Sequence, residues 1–519
     1  MTSKSSVAAL LLLSLALTSA QAQEPERTIA QFDAALGAAS TAFMEPMRIE
    51  LLEDDGERIV LHWQQGSYRE ELSWLGFSEV FASDGSQHWY GSTMKLPYAL
   101  NGGVPPRITL ELCKAFAFLQ PQWRGYLEPS DPAAANSLMF SPPLMSQALL
   151  TLENDGDLTV RIGDKQLLAE SSSFTLTQFI GFNQYGEIKY ASTFTTDSLD
   201  IEGNVLRSVR SKVVAVDNAS ALDDAQFSIS SAPEVPTPVL PTVPYTIEFE
   251  LKSGAVILPL TTSDGTTLRL QFDTGASAGL LRRDVAARFG LTAVGTEQVR
   301  GHGSVVNVSY TRVEGLRLGE AIVPPFAAAV MEEGNGLDRR LGQSAIDGLI
   351  GNFLLQSYVV RIDYPRRKLT LWPRDGFDPE QLRNTFTAVL HREMLPWSDV
   401  VVDGKIRGGA YFNTGASYPF ALSYWACDDA GIAYPVDSME RAVSVGGSSM
   451  FGIIRPGEVK LLGTGRSSDL VINGPPTALE LLSPGEPMER YRMASFGSAM
   501  LKDYAVTFDL QRERIYLSR

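Results

Sequence analysis

The sequence predicts a mainly β protein, with an N-terminal antiparallel domain followed by two β lobes that repeat one another. Three observations carry this expectation. Through the first 231 residues, short apolar or alternating runs such as Arg58-Ile59-Val60-Leu61-His62-Trp63 are separated by turn residues, the pattern of half-buried strands. Prolines then follow in quick succession at Pro233, Pro236, Pro238, Pro241 and Pro244, a spacing that breaks helix and strand alike. Beyond them the chain repeats itself: Leu270-Gln271-Phe272-Asp273-Thr274-Gly275-Ala276-Ser277 is answered 140 residues later (273 to 413) by Ala410-Tyr411-Phe412-Asn413-Thr414-Gly415-Ala416-Ser417.

Residues 1–22 read as a signal peptide. Lys4 supplies a positive start, Val7 to Leu17 a short apolar core, and Ala20-Gln21-Ala22 a small-residue cleavage site. The apolar run is short for a membrane span, no later stretch approaches one, and no cysteine follows to carry a lipid. A periplasmic or secreted protein is expected. The length of 519 residues fits roughly three domains. A hydrophobic share of 44% and a charged share of 20% belong to a folded chain. A net charge of -16 argues against nucleic acid as a partner. Cys113 and Cys427 fall in different expected domains, where a disulfide and two free thiols both stay open.

Residues 23–231 form the first expected domain. Hairpins are marked by Asp84-Gly85 and by Asp155-Gly156, the latter between Leu149-Leu150-Thr151-Leu152 and Leu158-Thr159-Val160-Arg161. The closing stretch is Leu222-Asp223-Asp224-Ala225-Gln226-Phe227. This layout resembles the half-barrel of periplasmic lipoprotein carriers. The resemblance implies a concave apolar cavity for an acyl chain or peptide, and a structural or regulatory β domain is the alternative. Residues 232–244 are expected to be a proline-rich, semi-rigid linker. It would hold the first domain near the lobes, where that domain could act as an inhibitory cover.

The two lobes are expected at 245–376 and 377–519. Each repeated loop follows an apolar strand and an Asp-Gly turn, Asp264-Gly265 and Asp403-Gly404. The closing hairpins also match, with Tyr358-Val359-Val360-Arg361-Ile362-Asp363-Tyr364 answered by Tyr504-Ala505-Val506-Thr507-Phe508-Asp509-Leu510. Two loops and two hairpins in nearly one register argue for internal duplication.

The chemistry follows from the loop. Two carboxylates about 3 Å apart cannot both ionise, so one becomes a base for water and the other an acid that polarises a carbonyl. Asp-Thr-Gly suits such a site, because Thr can bond into the facing loop and Gly allows close backbone approach. Around Asp273 stand an apolar strand, a helix-like Arg283–Phe289, the glycine-rich Gly301-His302-Gly303-Ser304 as a flap tip, and Ile346-Asp347-Gly348-Leu349-Ile350-Gly351. With the closing hairpin, these residues resemble a bacterial retropepsin-like aspartyl protease domain over about 246–372. The resemblance implies two such lobes in a pepsin-like bilobal unit. It makes Asp273 one member of the catalytic pair, with Thr274, Gly275 and Ser277 in support, Gly351 beneath the loop and Gly301, His302 and Gly303 on a flap. Asp347 reads as structural.

The second lobe departs from that pattern. Asn413, with Thr414 and Gly415, stands where the second Asp belongs, and the later segment reads Met493-Ala494-Ser495-Phe496-Gly497. An amide cannot act as a base. The expected function is an aspartic endopeptidase acting on peptide or protein through a water activated by Asp273, without a cofactor. The alternative is an inactive envelope protein that binds peptide or lipid. Pairing of two chains as a homodimer, Asp273 facing its counterpart, is a third possibility. His62, His88, His302 and His391 are scattered, so no metal site is expected. No nucleophile-elbow or phosphate-loop glycine pattern is present.

Overall fold

The computed structural model describes residues 46–100 except 55, 65 and 66, the strands between 127 and 218, and 223–300, 305–331, 341, 345–444, 447–480 and 492–519. The expected signal peptide, Cys113 and the flap residues Gly301, His302 and Gly303 lie outside the described residues. The chain forms two compact units. One takes in the described residues up to Ser73, Val80–His88 and those from 127 to Ser231. The other takes in Trp74–Glu79, Trp89–Leu100 and Ala232–Arg519.

The first unit is built on an antiparallel meander within a thirteen-stranded sheet that does not close on itself. Its first and last strands, Met47–Glu53 and Val205–Asn218, pair in the middle. The chain steps outward from them through Arg58–Gln64 and Ser67–Trp74 on one side, and through Ile188–Leu199, Ser171–Tyr185 and Leu158–Leu168 on the other. Strict alternation puts Tyr68, Glu70 and Leu72 on the buried face of their strand. The Asp84-Gly85 turn is set by Asp84, whose Oδ1 accepts from the backbone N–H groups of Ser86 and Gln87 at 2.8 and 2.9 Å.

The second unit holds the duplication. A six-stranded sheet runs Tyr245–Glu248, Lys368–Pro373, Tyr358–Asp363, Ala505–Asp509, Arg514–Ser518 and Phe386–Val389. At its centre the closing hairpins of the two lobes pair antiparallel, Val360 opposite Phe508 and Ile362 opposite Val506. Each lobe adds a sheet of the same order. The first runs Val294–Arg300, Val305–Val313, Phe326–Met331, Gly279–Arg282, Gly348–Ile350, Thr267–Phe272, Ala255–Thr261, Arg317–Leu318, Ala321–Ile322. The second runs Ser438–Ser444, Gly447–Ile454, Thr477–Glu480, Phe420–Ser423, Arg492–Gly497, Ile406–Asn413, Trp397–Val402, Glu458–Leu461, Leu470–Asn473. Nine positions agree, and so do the parallel pairings of the loop-bearing strands with Gly348–Ile350 and Arg492–Gly497.

Local chemistry explains these elements. The Asp264-Gly265 and Asp403-Gly404 turns place both glycines at positive φ, 85° and 69°, where a side chain would be strained. The Asp403 carboxylate accepts from the Glu458 N–H at 2.7 Å and from the Tyr434 hydroxyl at 2.7 Å. Phe272 and Phe412, one residue before each loop, are fully buried in one core cluster shared by both lobes. Phe412 stacks on Phe496 at 5.3 Å and meets Phe508 edge-on at 5.7 Å. Burial of one such ring stabilises by roughly 1.5–3 kcal/mol. The proline-rich stretch belongs to this unit and is pinned to it. Val235 and Leu240 are buried, and the Val235 carbonyl accepts from Arg374 at 2.8 Å. Its extended backbone is what clustered prolines impose; its apolar residues between them anchor it. The Cys427 thiol is free and buried.

Candidate active site

Each repeated loop leaves the end of a strand that is hydrogen-bonded on both sides. Thr267–Phe272 lies between Ala255–Thr261 and Gly348–Ile350, and the Asp273 N–H donates to the Ile350 carbonyl at 3.0 Å. The chain then turns sharply, the Ala276 N–H returning to the Asp273 carbonyl at 3.2 Å. In the second lobe the Ala416 N–H does the same to Asn413 at 3.2 Å.

The loops grip one another through their threonines. The Thr274 hydroxyl donates to the Phe412 carbonyl at 2.5 Å, and the Thr414 hydroxyl to the Phe272 carbonyl at 2.7 Å. Each hydroxyl oxygen also accepts from the facing threonine's N–H, at 3.0 and 3.2 Å. All four bonds are buried, where losing a partner costs about 1–3 kcal/mol per orphaned group. Asp273 and Asn413 are thereby held face to face. A Cβ added to Gly275 would stand 2.5 Å from the Asn413 Cγ, and one on Gly415 2.1 Å from the Asp273 Oδ2. Each glycine is therefore required by the side chain of the opposite lobe.

The polar atoms are matched. The Gly275 N–H donates to the Asp273 Oδ1 at 2.9 Å and the Gly415 N–H to the Asn413 Oδ1 at 3.1 Å. Asp273 is half-buried, and burial pushes its carboxyl up from 3.8 to about 6, against the backbone N–H groups of Gly275 and Gly415 that favour the anion. The rise comes from desolvation, not from a second charge.

The supports are duplicated as well. A Cβ on Gly351 would meet the Ala276 and Ala278 carbonyls at 2.6 and 2.7 Å, so Gly351 lies directly against the loop. Gly497 is its counterpart, 1.9 Å from the Tyr418 carbonyl by the same measure. Ser277 is half-buried just after the turn. Asp347 accepts from the Arg269 N–H at 2.8 Å and from Arg288 at 3.1 Å. Among the described residues no three His, Cys, Asp or Glu side chains converge as metal ligands would.

Several neighbours were not singled out in the sequence. Gln271 reaches across to the Gly415 carbonyl at 3.2 Å. The Tyr418 hydroxyl lies 2.9 Å from the Ser495 hydroxyl and donates to Glu480 at 3.3 Å. Ser495 falls inside the segment where the repeat loses its apolar pattern, and that loss was the only trace of them.

Two nine-position sheets joined by a shared six-stranded sheet, with an Asp-Thr-Gly loop locked to its repeat, give this unit an aspartic-protease fold. A family model described as aspartyl protease matches residues 258–352, the body of the first lobe and its loop. A search of curated proteins found no match. Solved structures similar to the chain include basic 7S globulin from soybean, at 12% identity and a TM-score of 0.31 over 53% of this chain and 94% of that one. Another is an aspartic proteinase from Irpex lacteus, at 11% identity and 0.32 over 53% and 97%. The architecture stands on strand order and loop geometry, not on these overlaps.

Proposed function

We propose that the second unit is an aspartic endopeptidase that uses one carboxylate, with Asp273 as the base and Asn413 as a neutral hydrogen-bonding partner. The observation that carries the reading is the reciprocal threonine lock, which presents Asp273 and Asn413 together at the meeting of the lobes. With its carboxyl at about 6, Asp273 is mostly ionised at neutral pH and near the value at which a base takes a proton from water efficiently. The water's hydroxyl adds to the peptide carbonyl, and the proton held by Asp273 passes to the leaving amine. Asn413, an amide, can donate a hydrogen bond to the developing oxyanion at any pH. A peptide or protein substrate and an extracytoplasmic location, inferred from the N-terminal apolar segment, belong to the same proposal. The test is hydrolysis of casein and internally quenched peptides from pH 4 to 9. Activity should rise through about pH 6 and vanish in Asp273→Ala; activity retained in that variant excludes the site.

Asn413 also supports a second reading, in which the site holds a peptide without cutting it. Binding of peptides that come off unchanged, at affinity indifferent to Asp273→Asn, would select it.

A further inference from the structure

The two lobes match strand for strand, so each position has a counterpart. In the first lobe the core cluster packed against Ala276 of the loop is apolar: Leu280, Met331 and Leu349 are buried there with Ile257, Leu341 and Ile346. Registers fix their partners. Met331 lies opposite Arg282 and Glu480 opposite Ser423 at the same step of the repeat. Leu349 lies beside Gln271 and Ser495 beside Tyr411. The lobe that lacks the second catalytic Asp thus carries a carboxylate and a hydroxyl where its twin carries Met and Leu. Glu480 is 8% exposed and Ser495 1%. A buried acid is expensive unless its neighbours compensate, and the twin lobe packs without one.

The neighbours form a chain. Tyr418 donates to Glu480 at 3.3 Å and lies 2.9 Å from the Ser495 hydroxyl. Ser495 is the parallel neighbour of Tyr411, which precedes Asn413 by two residues and so shares its face of the strand. Burial foremost keeps the Tyr411 phenol protonated; the charges of Glu480 and Asp273 add to that, and the Ser495 and Asn413 side chains oppose it. Burial likewise keeps Tyr418 protonated, with Glu480 reinforcing it. The adjoining strand Gly447–Ile454 contributes no titratable group.

We propose that Glu480 is the second acid of this site, a positioning residue that serves the reaction through Tyr418, Ser495 and Tyr411 in place of the carboxyl missing at position 413. The inference rests on the peptidase reading above. As water adds to the peptide carbon, its proton goes to Asp273. The carbonyl oxygen receives a proton from Tyr411, which is reprotonated through Ser495 and Tyr418 from Glu480, the neutral acid at the start of this step. On collapse Asp273 gives its proton to the amine, and the hydroxyl proton returns along the chain to Glu480. Amide and water become acid and amine, and both carboxyls end as they began.

The experiment measures kcat and kcat/KM against pH on an internally quenched peptide, with binding of a statine-containing peptide, for the full chain and for Glu480→Gln, Glu480→Met and Tyr418→Phe. Circular dichroism melting checks each fold. Wild type should give a bell whose acid limb belongs to Asp273 and whose alkaline limb belongs to Glu480. Glu480→Gln should lower kcat by about 10²-fold, as loss of a general acid does, and abolish the alkaline limb. Tyr418→Phe, which keeps both carboxyls, should do the same. Asn413→Asp added to Glu480→Gln should recover activity. If wild type cleaves but Glu480→Gln and Tyr418→Phe keep its rate and both limbs, the relay is wrong and the peptidase reading survives. If wild type neither cleaves nor binds statine, both fall.

Discussion

Replacing Asn413 by Asp is the sharpest perturbation of the site, because the fold already positions the side chain. The Gly415 N–H that now donates to the amide oxygen at 3.1 Å would donate to a carboxylate in the same place. Asp273 lies against the same glycine from the other side. Two unit charges about 4 Å apart at an effective dielectric near 20 repel by about 4 kcal/mol, the equivalent of roughly 3 pH units shared between the groups. One carboxyl would therefore stay protonated well above 6 while its partner ionises far below. The pair would titrate as a unit. Placed in the Glu480→Gln variant, Asn413→Asp should raise peptide hydrolysis by about 10²–10⁴-fold, the usual worth of a positioned general acid, and its optimum should move toward acid. The assay is kcat/KM from pH 3 to 9, with thermal melting over the same range. The variant should melt lower than wild type at pH 8, where both carboxyls are forced to ionise. Unchanged rate and unchanged profile would refute the face-to-face placement of positions 273 and 413.

Further outcomes follow from the same geometry. The Asp273 carboxyl lies near 6 in the fold against 3.8 when unfolded, so between those values the folded state holds the extra proton and stability falls as pH rises. The loss is at most about 3 kcal/mol. Asp273→Asn should therefore melt higher than wild type at pH 7 and about equally at pH 4, by calorimetry. Thr274→Val and Thr414→Val should each cost about 2–4 kcal/mol in denaturant unfolding, since each orphans a buried N–H and a carbonyl. The double variant should lose less than the sum, because the two share one network. Gly351→Ala meets two backbone carbonyls under 3 Å, and should lower both melting temperature and any cleavage more than Gly265→Ala, whose added Cβ touches nothing and meets only the strain of a positive φ. Asp347→Asn should weaken the fold and leave the cleavage profile in place, since its hydrogen bonds run to the Arg269 N–H and to Arg288.

Duplication is what made the second unit legible. A loop and a hairpin that recur in one register constrain a whole sheet order, so the nine-position correspondence was implicit in two short matches. Asp273 and its supporting threonine and glycines were readable for the same reason: a turn this tight leaves few residue choices. Glu480, Tyr418 and Ser495 were not readable. They meet from two strands and a loop, and Glu480 looks like any polar strand end until its burial is known. Gly497 was legible only as the end of the eroded segment Met493–Gly497, where Ser495 interrupts the apolar run that flags Gly351. The proline-rich stretch was read from its backbone chemistry, and its anchoring depended on Val235 and Leu240 finding a surface that no local pattern reveals.

The threonine lock has a consequence for timing. A ribosome finishes the loop with the base some 140 residues before the loop that must clasp it, and Ala505–Asp509, which completes the central pairing, comes later still. Long-range closure of this kind is slow. A chain still being made has its acid but not its vise. Any cleaving power is thus withheld from the growing chain by order of synthesis alone.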